Sequence, residues 1–350
     1  MQSHITIGMD LGDQNHIAAI LDTDGQEILC AKLPNTKESI KRFFQQYAGA
    51  RVAIEAGTHS PWISRLLEEL GCQVYVGNPY KLRVIWDSTD KSDERDARML
   101  AMVCRLEPKM LWPVRHRDER AHNDLEVIKA RNILVQSRTK LVNHIRSVVK
   151  GTGERLPKCS TGSFGNRAIN LLPKPLLPAL KPLIDTVSDI TSRIRKLDKQ
   201  IEALILDLYP EAQLLRQVQG VGPVTALAFI LTIEDPGRFV KSRMLGPYLG
   251  LTPRRDQSGD TDKQLPITKA GNVYLRKLLV GCAHYIMGPF GPDSDLRRHG
   301  LAIAARGGTN ARKRAVVAVA RKLSVLLHRL WVGNQVYVPL YTSIRVKQVA

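Results

Sequence analysis

Three short apolar runs crowd into the first 33 residues: "HITIGMDL", "NHIAAILD" and "EILCAKL". The second and third are joined by the turn "DTDG", and "GDQ" separates the first two. Links this short suit an antiparallel meander, so the chain is committed from its first residues to a sheet. Elements then alternate. The spacing predicts a helix near "TKESIKRFFQQYAG", with Thr36 and Ser39 available for capping, and then the buried strand "RVAIEA". A helix over "SPWISRLLEELG" has Pro61 in its first turn and Gly71 at its end, and the strand "CQVYVGNP" follows.

The order β-β-β-α-β-α-β is that of the ribonuclease H-like fold. Beyond it, "SDERDARMLAMVCRL" is amphipathic, with Ala97, Leu100, Ala101 and Cys104 on one face. A long basic helix is predicted from about Arg117 to Val149. A glycine-rich loop interrupts it, and a second long helix runs from Pro182 to Leu208, stopped by Pro210. Two such helices suit an antiparallel arm that joins copies of the chain or grips nucleic acid; a plain helical linker fits equally. The last segment opens on "LRQVQGVGPVTALAFILTI". Its "GVGP" reads as a helix-hairpin-helix turn in which N–H groups near Gly220 and Gly222 could hold a phosphate. After a "SGD" loop come two helical stretches, "ITKAGNVYLRKLLVGCAHYIM" and "ARKRAVVAVARKLSVLLHRLW". The expected class is α/β plus α: a sheet domain over 1–110, a helical arm over 111–212 and a mainly helical domain over 213–350.

Charge is distributed unevenly. Residues 1–110 carry 13 Lys+Arg against 15 Asp+Glu, residues 111–215 carry 18 against 11, and residues 216–350 carry 21 against 7. A basic C-terminal half attracts a polyanion, of which nucleic acid is the commonest. The five cysteines are scattered and form no CxxC pair, which argues for a reducing compartment and against a structural zinc site. No apolar run is long enough for a membrane span and the N-terminus lacks a secretory pattern, so a soluble cytoplasmic protein is expected.

The acids of the first domain fall at structural edges. Asp10 lies within the apolar run "ITIGMDLG", Glu55 ends "VAIE", and Asp93 and Asp96 share one face of a helix start. Charged residues in apolar strands are costly unless paired or bound to metal. Each has a plainer reading. Asp10 could pin the next turn or open an ATPase-type phosphate loop, although no Gly-rich adenosine motif follows. Glu55 could be a solvated strand end, and Asp93 and Asp96 could answer the helix dipole. Together, the four carboxylates suit Mg²⁺, and a pair of such ions can clamp a phosphodiester during in-line displacement.

These blocks resemble a known family. "MDLG", "IEAGTHSPW" and "KSDERDA" look like the three blocks of the DEDD transposases of the insertion sequence 110 group, and "QGVGPVTALAF", "YLGLTPRRDQSG" and "ITKAGNVYLRKLL" look like its C-terminal block. The resemblance covers nearly the whole chain, in order. It implies a RuvC-like domain with a metal site on Asp10, Glu55, Asp93 and Asp96, holding Mg²⁺ or Mn²⁺. It also implies that Ser258 attacks a DNA phosphodiester to form a covalent phosphoserine. Oligomers, dimers or tetramers joined through coiled-coil arms, and a noncoding bridge RNA that pairs with donor and target DNA, are implied in the same way, as is a nucleoid location in a prokaryote.

A serine hydroxyl is a weak nucleophile without a base or a metal, and no histidine lies near it in sequence. Arg254 and Arg255 are suited to bidentate contacts with phosphate oxygens, and Gly259 would let the backbone pass close to one. Lys269, Asn272 and Arg276 are expected at the nucleic-acid backbone. Three other readings use the same residues differently. They are an invertase acting at fixed inverted sites, a RuvC-like nuclease in which water attacks and Ser258 is structural, and a non-catalytic nucleic-acid binder.

Overall fold

The computed structural model describes residues 5–82, 92–258 and 261–341. Two compact units divide the chain, residues 1–118 and 119–350.

In the first unit the predicted meander forms: β1 (Thr6–Leu11), β2 (Asn15–Leu21) and β3 (Glu27–Pro34) pair antiparallel. After α1 (Lys37–Phe44), β4 (Arg51–Glu55) joins the other edge of β1 in parallel. After α2 (Ser60–Glu69), β5 (Gln73–Gly77) pairs parallel with β4. The strand order β3-β2-β1-β4-β5 makes a mixed five-stranded sheet compatible with the ribonuclease H-like fold. Thr36 caps α1, its Oγ1 accepting from the Ser39 N–H at 3.2 Å.

Alternation assigns the faces. Ile7, Met9, Val52 and Ile54 are fully buried with Ile40 and Phe44 of α1 and Ile63 and Leu67 of α2. Gly8, Asp10, Ala53 and Glu55 therefore look the other way. That face is covered by a helical turn, α3 (Pro79–Leu82), and by α4 (Asp93–Leu106), whose Leu100, Val103 and Cys104 pack with Ala53 and Leu82. The approach is close enough to require glycine: a Cβ on Gly8 would lie 2.0 Å from the Ala97 carbonyl oxygen and 2.4 Å from the Ala101 nitrogen.

In the second unit, α5 (Glu119–Gly151) and α7 (Leu177–Asp207) pack antiparallel. Arg131 pairs with Asp198, and Arg138 donates to Thr191 Oγ1. Farther out, Val142, Ile145 and Val149 pack with Leu180, Ile184 and Val187, closed over by Phe164 of α6 (Phe164–Ala168). The second long helix begins at Leu177 rather than at Pro182. Pro182 stands inside it, in the second turn. The proline lacks only the N–H that would bond four residues back, to another proline, Pro178, near the helix end, so the helix tolerates it.

The inner ends of this helix pair share one core with the remaining elements. These are α8 (Glu211–Arg216), α9 (Pro223–Ile233), α10 (Leu245–Tyr248), α11 (Val273–Met287), α12 (Asp295–Ala304) and α13 (Ala311–Gly333). Every residue of α9 from Thr225 to Ile233 is buried, so it is the central helix of the unit. Between α10 and α11, flanking the predicted "SGD" loop, the structure has a two-stranded antiparallel ribbon that the sequence did not announce, β6 (Pro253–Ser258) and β7 (Thr261–Ile267). No helix among the described residues is long and apolar enough to cross a membrane.

Candidate carboxylate face and serine ribbon

Asp10 and Glu55 lie on the α4 face of adjacent strands. β1 and β4 run parallel in the register Gly8–Ala53 and Met9–Ile54, so the two acids follow one residue later, at the C-terminal ends of both strands. In open α/β sheets that edge is where ligands bind. The direction of α4 follows from two contacts. Its Ala97–Ala101 stretch crosses Gly8, and farther along Arg105 donates to the Thr23 carbonyl at 2.8 Å, just past the residue that pairs with the start of β1. The helix therefore runs against β1, and its first turn, with Asp93, Glu94 and Asp96, faces the Asp10 end. Ser92 caps that turn, its Oγ accepting from the Arg95 N–H at 3.3 Å.

Asp10, Glu55 and Asp96 are half-buried and Asp93 is exposed. Their donor set is oxygen only, the chemistry a hard divalent cation needs. Among the described residues, however, no three His, Cys, Asp or Glu side chains form a group that could hold a metal ion. The backbone thus brings the four acids to one end of one face, while the side chains are not drawn together around a metal position.

One polar group nearby escaped the sequence reading. His16 on β2 is fully buried, with Nε2 3.1 Å from Asn35 Oδ1, and its Nδ1 has no hydrogen-bond partner. Burial, and to a lesser degree His59, hold its pKa below the ordinary value against the opposing bond to Asn35. His59 in turn reaches Asp13 at 3.3 Å. A histidine inside a strand pattern gives no signal of its partners 19 and 43 positions away.

In the second unit, Ser258 is the exposed last residue of β6, in register with Thr261. Gly259 lies outside the described residues. Over the regular pairs from Arg255 to Ser258, alternation puts Asp256 on the face of Ser258 and Arg255 on the other; the exposed Arg254 stands where the pairing with β7 shifts register. Arg255 is engaged there in a two-pronged pair with Asp262, at 2.7 and 2.6 Å, which holds the Asp262 carboxyl below its usual range.

The root of the ribbon is tightly determined. Gly250 and Gly271 both adopt left-handed backbone, and a Cβ on either would strike main chain: Ala270 O at 2.2 Å and Tyr248 O at 1.9 Å. Thr268 N–H donates to Thr252 O and Lys269 N–H to Gly250 O. Arg276 completes the lock. Only 8% exposed, it donates to the carbonyls of Leu249 (2.9 Å) and Ala270 (2.8 Å). Arg276, expected at the nucleic-acid backbone, thus serves an internal tie through its Nη1, which bonds the protein's own carbonyls. Asn272 caps α11, accepting from the Leu275 N–H at 2.9 Å, while the Lys269 residue is exposed.

The "GVGP" stretch forms the expected helix–turn–helix between α8 and α9. Gly220 is left-handed (φ 94°), and a Cβ there would meet Tyr285 at 2.7 Å. Gly222 caps α9 with nothing within 4 Å of its Cβ direction, so its backbone is open to approach.

An acid-lined sheet end and a basic helical unit define a protein that handles a polyanion, and similarity to known proteins narrows this to the transposases. Residues 7–153 match the profile of the DEDD transposases of the IS110 group, and residues 212–295 match that of the transposase IS116/IS110/IS902 family. A probable family 20 transposase of Pseudomonas aeruginosa is 27% identical over 321 residues, covering 90% of this chain and 92% of that protein. The transposase for insertion sequence element IS1111A of Coxiella burnetii is 27% identical, covering 71% and 69%. A pilin gene-inverting protein of Moraxella bovis is 31% identical over 143 residues, covering 40% and 43%. The chain belongs to the IS110 family of transposases, and as a transposase it binds DNA.

Proposed function

We propose that this transposase cuts and rejoins DNA through a covalent phosphoserine at Ser258, with the carboxylates of Asp10, Glu55, Asp93 and Asp96 binding Mg²⁺, or Mn²⁺ in its place. The Ser258 Oγ attacks the scissile phosphorus, one P–O bond to the neighbouring deoxyribose breaks, and the Oγ proton balances the charge on the sugar hydroxyl released. Attack by another sugar hydroxyl on the phosphoserine reverses the step, so strands are rejoined without ATP. Divalent cations supply charge neutralisation at the phosphate when bound. The chain's own part is to bring four acids to one sheet end and to present a serine on an accessible ribbon, with the exposed Arg254 on the same strand as a phosphate-oxygen partner. Lys269 and the open backbone at Gly222 are the accompanying nucleic-acid contacts, and Gly220 shapes the turn.

The docking of α4 across Gly8 carries this reading, since it aims Asp93 and Asp96 at the end where Asp10 and Glu55 emerge. The proposal extends to partners: a structured noncoding RNA selects the sites, and the α5–α7 pair joins copies of the chain as a coiled-coil arm. Likeness to a pilin gene-inverting protein supports a second reading, the same chemistry at fixed inverted sites. The deciding experiment is Ser258→Ala. Covalent protein–DNA adducts, read on denaturing gels, should vanish while DNA binding stays; full recombination by this variant would end the serine assignment. RNA that co-purifies with the protein, encoded beside its gene, favours the guided reading over the inverting one.

A further inference from the structure

After Asp295 the last 55 residues hold eleven Lys+Arg and no Asp or Glu. The described part of this stretch is a helical hairpin. Gly300 of α12 packs against Val319 of α13, and the connection between them carries Arg306, Gly307, Gly308 and Asn310, with Arg312, Lys313 and Arg314 opening α13. All four cations are exposed, and their charged groups make no hydrogen bond or ion pair among the described residues.

Elsewhere this chain pairs many of its surface arginines: Arg98 with Glu27, Arg193 with Asp189, Arg255 with Asp262, and Arg298 with Asp293. At the hairpin tip the charge is also placed against the helix dipole. Cations at a helix start are unfavourable, α13 has no acid in its first turn, and the Asn310 side chain makes no capping bond. The folded chain thus bears a repulsion that an external anion would relieve. His299 on α12 independently reports the field: after burial, Lys322 and Arg306 are what hold its pKa low. Gly307 and Gly308 are both left-handed, and no atom of the described residues lies within 4 Å of the Cβ direction at Gly307, so the backbone there is open to approach.

We infer that the α12–α13 hairpin tip, Arg306 with Arg312, Lys313 and Arg314, is a docking surface for the sugar–phosphate backbone of duplex DNA. The occupant follows from charge complementarity and from the DNA binding of the family; the inference does not depend on Ser258 being a nucleophile. Contacts to phosphate alone read no sequence, so the surface contributes affinity and registration rather than site choice.

The test measures binding of the full-length chain to a 30-bp duplex of arbitrary sequence, by fluorescence anisotropy across a salt series. It is run in the Ser258→Ala background so that the outcome is separate from any cleavage. Each cation that meets a phosphate contributes about 0.9 to the slope of log K against log salt. Arg312→Gln/Lys313→Gln/Arg314→Gln should therefore lower the slope by about 2 to 3 and weaken binding at least about tenfold at low salt. The charge-keeping variant Arg312→Lys/Lys313→Arg/Arg314→Lys should retain the slope. A control triple on α1 of the other unit, Lys37→Gln/Lys41→Gln/Arg42→Gln, should leave it unchanged. If the neutral triple fails to fold, the three single Gln variants are expected to lose about 0.9 each. An unchanged slope, an equal loss in the α1 control, or a loss seen only with a folded RNA probe would overturn the inference.

Discussion

Replacing Gly8 with alanine tests the link between sequence and candidate site most directly. The added Cβ would lie 2.0 Å from the Ala97 carbonyl oxygen and 2.4 Å from the Ala101 nitrogen, and distances under 3.0 Å are essentially never seen. Both are main-chain atoms of a helix, so no side chain can turn aside. α4 must retreat by about 1 Å or more, loosening the packing of Ala97, Leu100, Ala101 and Cys104, all buried. Overpacking of this kind costs about 3 kcal/mol. For a unit of this size that is a fall of roughly 10–20 °C in its melting temperature. The same retreat moves Asp93 and Asp96 away from Asp10, and misplacement by about 1 Å costs roughly 100-fold in rate. Thermal melting and a DNA-cleavage assay well below the melting point would read the two effects separately. Gly57→Ala, where a Cβ meets nothing within 4 Å, is the matched control. A Gly8→Ala variant that melts and cleaves like the parent would refute the account of how α4 aims its acids.

Other perturbations have equally definite outcomes. Arg276→Ala removes the Nη1 that donates to both the Leu249 and Ala270 carbonyls, so a loss of about 2–4 kcal/mol in chemical denaturation is expected, with protease nicking near the root of the ribbon. His16 is held neutral in the folded state, so below about pH 6.5 the unfolded chain binds a proton that the folded chain refuses. The first unit should therefore lose stability as pH falls from about 6.5 toward the lower folded pKa, and His16→Gln should flatten that slope in pH-dependent melts.

Much of the first unit was legible because its strands are short apolar runs separated by turn residues and its helices carry local punctuation. Asp10 stood out as a charge inside an apolar run, and Asp93 with Asp96 marked a helix start. Gly8 gave no such signal, since its necessity depends on Ala97 and Ala101, far along the chain. The ribbon went unannounced for a different reason. "PRRDQS" is largely exposed on both sides, so no alternation marks it as a strand, and its polar composition is that of a loop. Arg276 shows the same limit: nothing in a basic helix announces that its Nη1 bonds the carbonyls of Leu249 and Ala270.

The interlocked root and two-stranded build of the ribbon carry a geometric consequence. The face presented by Ser258 is set by counting residues outward from a base that Gly250, Gly271 and Arg276 hold fixed. Deleting one residue from each strand would turn the serine to the opposite face, while deleting two would restore the face and shorten the reach by about 7 Å. Paired length changes here are thus quantised in steps of two. An odd change on one strand alone needs a bulge to absorb it, as already happens near Arg254, where two steps along β6 match three along β7.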